Sequence, residues 1–162
     1  MFFANRGMYL ESLINCIINY TIEIYNSKRK ALFFKSCPKI IINQGKYYYV
    51  NQITVDYHGV YQGKYLCFEA KTTEQTILPW KNIKPHQWNY LLLAAEQQAI
   101  SFIVIYFTIY QKYFLVYTNE LKSLKTKKLM ITYQWVTKNG HEIPLINPFF
   151  LDFIKIIYLN LL

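Results

Sequence analysis

Apolar side chains recur at Leu10, Leu13, Ile14, Ile17 and Ile24, three and four residues apart, with polar positions between them. That spacing lays them along one stripe, so it predicts an amphipathic helix from Met8 to Ile24 with Asn5 just upstream as its cap. After it the period changes. KALFFKS at 30–36 and KIIINQ after Pro38 read as strand, Gly45 interrupts the run, and KYYYVNQITVDY from Lys46 resumes an extended, aromatic and β-branched character. Helical spacing returns in KPHQWNYLLLAAEQQA at 84–99, where Trp88, Leu91, Leu92 and Ala95 form an apolar face and Pro85 suits a first turn. The unbroken SFIVIYF at 101–107 predicts a strand covered on both faces, and KYFLVY at 112–117 a neighbouring strand after a short turn. Thr118 is predicted to cap a third helix, TNELKSLKTKK, whose terminal lysines suit a helix C-terminus. A polar region follows, then a last helix from about Pro148. The order of elements predicts an α/β or α+β layering, a mixed sheet flanked by helices.

Composition narrows this picture. With 53% apolar and 17% charged residues the chain is far from a disordered composition, and no compositional break divides its 162 residues, so a single domain over 1–162 is expected. Lys and Arg number 18 against 9 acids, which favours a polyanionic partner, although Ile, Lys, Asn, Tyr and Phe all have A/T-rich codons and part of the basicity follows from that. The basic clusters Lys28, Arg29, Lys30 and Lys122, Lys125, Lys127, Lys128 read first as solvated faces, with phosphate contact as the alternative. The odd set Cys16, Cys37 and Cys67 contains no CxxC pair and predicts reduced, buried thiols in a cytoplasmic protein. Arg6 and Glu11 break up the opening segment, and Asp152, Lys155 and Asn160 break up the C-terminal one, so neither a secretory leader nor a membrane span is expected.

The chemistry concentrates in TVDYHGVYQGKYLCFEAK, residues 54–71. Gln62-Gly63 reads as a two-residue hairpin loop, the glycine supplying the positive φ that a primed turn needs. Such a loop pairs Tyr61 with Lys64 and, counting outward, Asp56 with Glu69 and Thr54 with Lys71, all four on one face. Tyr65 and Cys67 share that face, while Leu66, Phe68 and Ala70 point to the other. Opposed carboxylates about 5 Å apart repel by about 3 kcal/mol at an effective dielectric near 20. A proton or a cation relieves this, and a hard divalent ion with open water positions does so while acting as a Lewis acid. Lys71 then projects beside that ion, where its ammonium can hold a water or stabilise charge on phosphate. The alternative is a plain ion-pair cluster in which Lys71 neutralises Glu69, and a bulge at Gly59 would shift the register.

An Asp, a short hairpin and Glu-x-Lys resemble the core of the PD-(D/E)xK nucleases. NRGMYLE at 5–11, DYHGVYQGKYLCFEAK at 56–71 and LPWKNIKPHQ at 78–87 together resemble the RecU Holliday junction resolvases, from Asn5 to about Tyr117 with a weaker echo at the C-terminal helix. The resemblance implies a restriction-endonuclease-like fold, with a short protruding stalk at about 40–54. It implies metal ligation by Asp56 and Glu69 with Gln87 in support, Lys71 as the catalytic lysine, and Glu11 as a further acid, whose alternative is an exposed helix carboxylate. It further implies a Mg²⁺-dependent homodimer, with Mn²⁺ as a substitute, that binds four-way junction DNA and nicks two opposed strands symmetrically in recombination and repair. Recombinase and branch-migration proteins are implied partners, in a nucleoid-associated setting. DNA contacts are expected from Arg6, Lys46, Tyr48 and Lys64. His86 is expected to face solvent or cap a helix, and His58 and His141 lack zinc spacing. Two features depart from the family: Val55 stands where a threonine is usual, and the segment from Ile40 to Thr54 is shorter and poorer in arginine. A junction-binding scaffold with decayed nuclease activity is the alternative these departures leave open.

Overall fold

The structure is a computed structural model that describes residues 4–36, 40–49 and 54–160. In chain order the helices are α1 (Ala4–Ser27), α2 (Pro85–Glu96), α3 (Thr118–Thr126), α4 (Tyr133–Asn139) and α5 (Phe153–Leu159). The strands are β1 (Leu32–Lys35), β2 (Ile40–Asn43), β3 (Lys46–Tyr49), β4 (Tyr57–Tyr61), β5 (Lys64–Thr73), β6 (Ile77–Leu78), β7 (Ile100–Phe107), β8 (Lys112–Tyr117), β9 (Ile131–Thr132), β10 (His141–Ile143), β11 (Leu145–Asn147) and β12 (Phe150–Leu151).

The two longest strands, β5 and β7, lie side by side at the centre of a six-stranded sheet of order β1-β4-β5-β7-β8-β10. Their pairing is parallel and every other pairing in that sheet is antiparallel, so the sheet is mixed, as expected. A parallel pair needs a crossover, and α2 supplies it. Alternation along the central strands then sorts side chains into two cores. Leu66, Phe68, Phe102 and Val104 join residues of α1 and α5 on one face. Cys67, Ile103, Ile105 and Phe107 join residues of α2, α3 and α4 on the other.

The hairpin arithmetic survives. Tyr57 pairs with Phe68 and Tyr61 with Lys64 without a bulge, and both turn residues carry positive φ, 48° at Gln62 and 77° at Gly63. Gly59 is required for a different reason: a Cβ there would overlap the carbonyl of Leu32 on the adjoining strand. The ladder stops earlier than expected, however: it ends at Tyr57–Phe68, so neither Asp56 with Glu69 nor Thr54 with Lys71 forms a ladder pair, and Thr54 lies in a bend and is exposed.

Several other expectations are corrected. The first helix begins at Ala4, which places Asn5 inside its first turn and not at the cap. Tyr117, not Thr118, is the cap of α3; Thr118 is fully buried, its hydroxyl 2.7 Å from that of Ser101. The last helix starts at Phe153, where Asp152 caps it by accepting from the Lys155 amide, and the small β11–β12 hairpin occupies the preceding stretch. The polar region holds α4, which opens on Thr132 accepting from the Trp135 amide. Cys67 is buried as expected, but Cys16 is exposed on α1, and Cys37 lies outside the described residues. The expected stalk contains β2 and β3, which among the described residues pair only with each other; residues 50–53 of it lie outside the described residues.

Candidate active site

The site forms where β4 leaves the sheet. Up to Tyr57 the strand is paired with β5, but at Asp56 the chain bends, and the Asp56 carbonyl accepts from the Ser36 amide at 2.7 Å. The Asp56 amide, freed from the ladder, donates instead to Oε1 of Glu69 at 2.9 Å. A carboxylate on a central strand has thereby captured a backbone donor from the neighbour that peels away. Val55, beside Asp56, is buried in the α2-side core and so fills space in place of a hydroxyl.

From the other side, the first turn of α2 closes over the same carboxylate. Pro85 opens the helix, where its missing N–H costs nothing. Two residues later Gln87 turns its side chain back, so that Oε1 accepts from the Lys84 amide at 3.1 Å. Gln87 Nε2 donates to Glu69 Oε2 at 2.8 Å, and its Oε1 also accepts from Lys71 Nζ at 3.1 Å. Lys71 Nζ lies 3.1 Å from Glu69 Oε2 as well, which closes a triangle of Glu69, Lys71 and Gln87. Glu69 is 0% exposed and Gln87 nearly so, whereas Asp56 is half-buried and the Lys71 side chain keeps a little contact with solvent.

Burial pushes the Glu69 carboxyl up to about 8; the Lys71 ammonium opposes the shift and the neighbouring Asp56 carboxylate adds to it. Glu69 Oε2 takes two donors and Oε1 takes one, so Oε1 retains an acceptor direction beside Asp56. Two carboxylates with spare oxygen lone pairs, one of them half-exposed, suit a hard divalent cation. Among the described residues no group of three or more His, Cys, Asp or Glu forms a ligand cluster.

The remaining expected residues are dispersed. Lys64 is exposed at the opposite end of β5 from Lys71, and Lys46 is exposed at the turn of the β2–β3 ribbon. Arg6 and Glu11 lie on the first half of α1, with Glu11 one turn before Asn15, whose Oδ1 accepts from Tyr57 OH at 2.7 Å. Their side chains, and that of Tyr48 on β3, lie outside what the structure describes. His86 is half-buried, with Nε2 shielded from solvent and lacking a hydrogen-bond partner in the structure, which replaces the expected solvent-facing or capping imidazole. The Lys84 amide was not anticipated as part of the site; a glutamine three residues into a helix was the available signal for it.

Comparison with known proteins supplies the family. A family model described as "RecU: Recombination protein U" matches residues 5–159. The chain belongs to the RecU family. Within it, the chain is 36% identical to a protein named Holliday junction resolvase RecU from Ureaplasma parvum, over 94% of this chain and 92% of the relative. A RecU of the same name from Mycoplasmopsis pulmonis is 34% identical, over 93% and 92%. Among solved structures, the chain is similar to the Holliday junction resolvase Hjc of Archaeoglobus fulgidus, with a TM-score of 0.44 and 10% identity, over 65% of this chain and 76% of that one. No helix among the described residues of this RecU chain is long and apolar enough to cross a membrane.

Proposed function

We propose that this chain is a Holliday junction resolvase, a divalent-metal-dependent endonuclease that cuts phosphodiester bonds at four-way DNA junctions. The observation that carries the reading is the Asp56–Glu69–Lys71–Gln87 cluster, built on a strand hairpin and one helix turn in a chain whose relatives bear that name.

Asp56 and Glu69 hold the cation, Mg²⁺ by the chemistry of an all-oxygen donor set and Mn²⁺ as a substitute. When bound, it activates water and neutralises charge on the phosphate. The protein's own groups do the rest. The Asp56 amide and the Gln87 amide group fix both oxygens of Glu69, so its carboxylate presents one remaining direction. Gln87 accepts from Lys71 and from the Lys84 amide, and so braces the site beside the metal ligands. Lys71, held at 3.1 Å from Glu69, keeps an ammonium where charge develops on the attacked phosphate.

Glu11 is a further acid one turn from Asn15 on α1, and Arg6, Lys46, Tyr48 and Lys64 contact DNA away from the chemistry. Resolution into linear duplexes needs two nicks on opposed strands, which a homodimer supplies with one site per subunit. Incubating a labelled four-way junction with the protein and Mg²⁺ or Mn²⁺ tests the reading. The wild type is expected to yield paired nicks, and Asp56→Asn to bind without cutting. A folded wild type that retains intact junction would instead establish a binding scaffold.

A further inference from the structure

Among the acid-free stretches of this chain are 75–95, which carries Lys81 and Lys84, and 121–135, which carries Lys122, Lys125, Lys127 and Lys128. As sequence they are separate basic runs of the kind that solvated faces usually display. The fold joins them at three points. Strand β6 pairs with β9, Ile77 opposite Thr132 and Leu78 opposite Ile131. Trp80 Nε1 donates to the Leu129 carbonyl at 2.9 Å. The Lys125 ammonium lies over two indoles at once, 4.6 Å from the ring centre of Trp88 and 5.2 Å from that of Trp80. These contacts end beside the site, because Trp88 directly follows Gln87 and the Lys84 amide is bonded to the Gln87 side chain.

The lysines have different tasks. Lys125 is engaged by the two rings and Lys122 by Glu96 at 3.3 Å, so these two fasten α3 in place. Lys81, Lys84, Lys127 and Lys128 are exposed and make no ion pair among the described residues. Unpaired lysines clustered on a braced surface that abuts a phosphodiesterase site match the repeating charge of a nucleic-acid backbone. We infer that the loop from Trp80 to Lys84 and the C-terminal turn of α3 form a phosphate-contact surface, which grips the duplex arm leading into the Asp56–Glu69 cluster. The inference rests on the proposed function and adds to it a second DNA contact, distinct from the β2–β3 ribbon.

Its test measures binding with EDTA present, so that no cutting intervenes, using a labelled four-way junction and a linear duplex of one arm's sequence across a range of salt. A Lys81→Gln, Lys127→Gln, Lys128→Gln variant is compared with the corresponding Lys→Arg variant. Each lost phosphate contact lowers the slope of log affinity against log salt by about 0.9, so the glutamine variant is expected to lose about 2 to 3 from that slope. Its affinity for both DNAs should fall at least about tenfold near 0.1 M salt, with the melting temperature kept and the arginine variant matching wild type. Unchanged affinity and slope in the glutamine variant would overturn the surface. Wild-type protein that binds no junction would overturn the proposed function and the surface with it.

Discussion

Phe68 and Glu69 are neighbours on β5, each with no exposed surface, and they face opposite sides of one sheet. Phe68 stacks between Tyr57 and Phe102, both ring centres 4.8 Å away, under a layer completed by Phe33 and Phe153. Nothing on that face needs a polar partner from Phe68. Glu69 meets an amide, a glutamine and an ammonium, and burial still pushes its carboxyl up to about 8. One face thus gains stability from packing, while the other bears the cost of a buried acid, a cost that the proposed site would explain. A single strand keeps the two apart because its side chains alternate.

Substitutions should separate the two faces cleanly. Glu69→Gln is expected to have the largest effect: junction cutting falls by at least about a thousandfold, a loss of about 4 kcal/mol in barrier lowering. Removing the buried charge favours its stability, while the new amide N–H group, set among donors from Asp56, Lys71 and Gln87, opposes it, so the pH dependence separates the two. In EDTA the sign of the pH dependence follows from the raised pKa. The folded protein binds more protons than the unfolded chain between the ordinary carboxylate range and about 8, so wild-type stability falls as pH rises through that window. The stability of Glu69→Gln relative to wild type therefore grows with pH, and denaturant melts at several pH values would show it.

Phe68→Ala reverses the pattern. It should cost about 3–5 kcal/mol of stability, while cutting per folded molecule, measured well below the melting temperature, stays near wild type. Ser101→Ala should be milder. It deprives the buried Thr118 hydroxyl and the Leu91 carbonyl of a partner, a loss of about 1–3 kcal/mol visible in the same melts.

The contrast also shows which features the sequence could disclose. A two-residue turn sets pairing by counting, so Gln62-Gly63 fixes the register from Tyr61–Lys64 to Tyr57–Phe68, and Asp56 reaches Glu69 just beyond it through its amide and not as a ladder pair. The same count failed at Thr54, because nothing in the sequence marks where β4 leaves the sheet; that bend depends on the Ser36 amide, far along the chain. Helix boundaries misled for a related reason. A threonine before a helical pattern reads as a cap, yet Thr118 is drawn inward to Ser101 on β7. Cys16 sits at a position that any small side chain could fill, and its exposure follows from how α1 is rotated on the sheet. Gln87 was reached through resemblance, and its bonds to three other residues at once became visible only when α2 was set against β5. The clamp of Lys125 by Trp80 and Trp88 joins three elements and has no local pattern at all.

The most direct test of the two-faced strand is a crystal of the protein grown with Mn²⁺ and measured for anomalous scattering. The account predicts a strong peak within coordination distance of carboxylate oxygens from both Asp56 and Glu69, with Lys71 beside it. A well-ordered Glu69 and Asp56 with no peak between them, or a peak bound elsewhere, would contradict it.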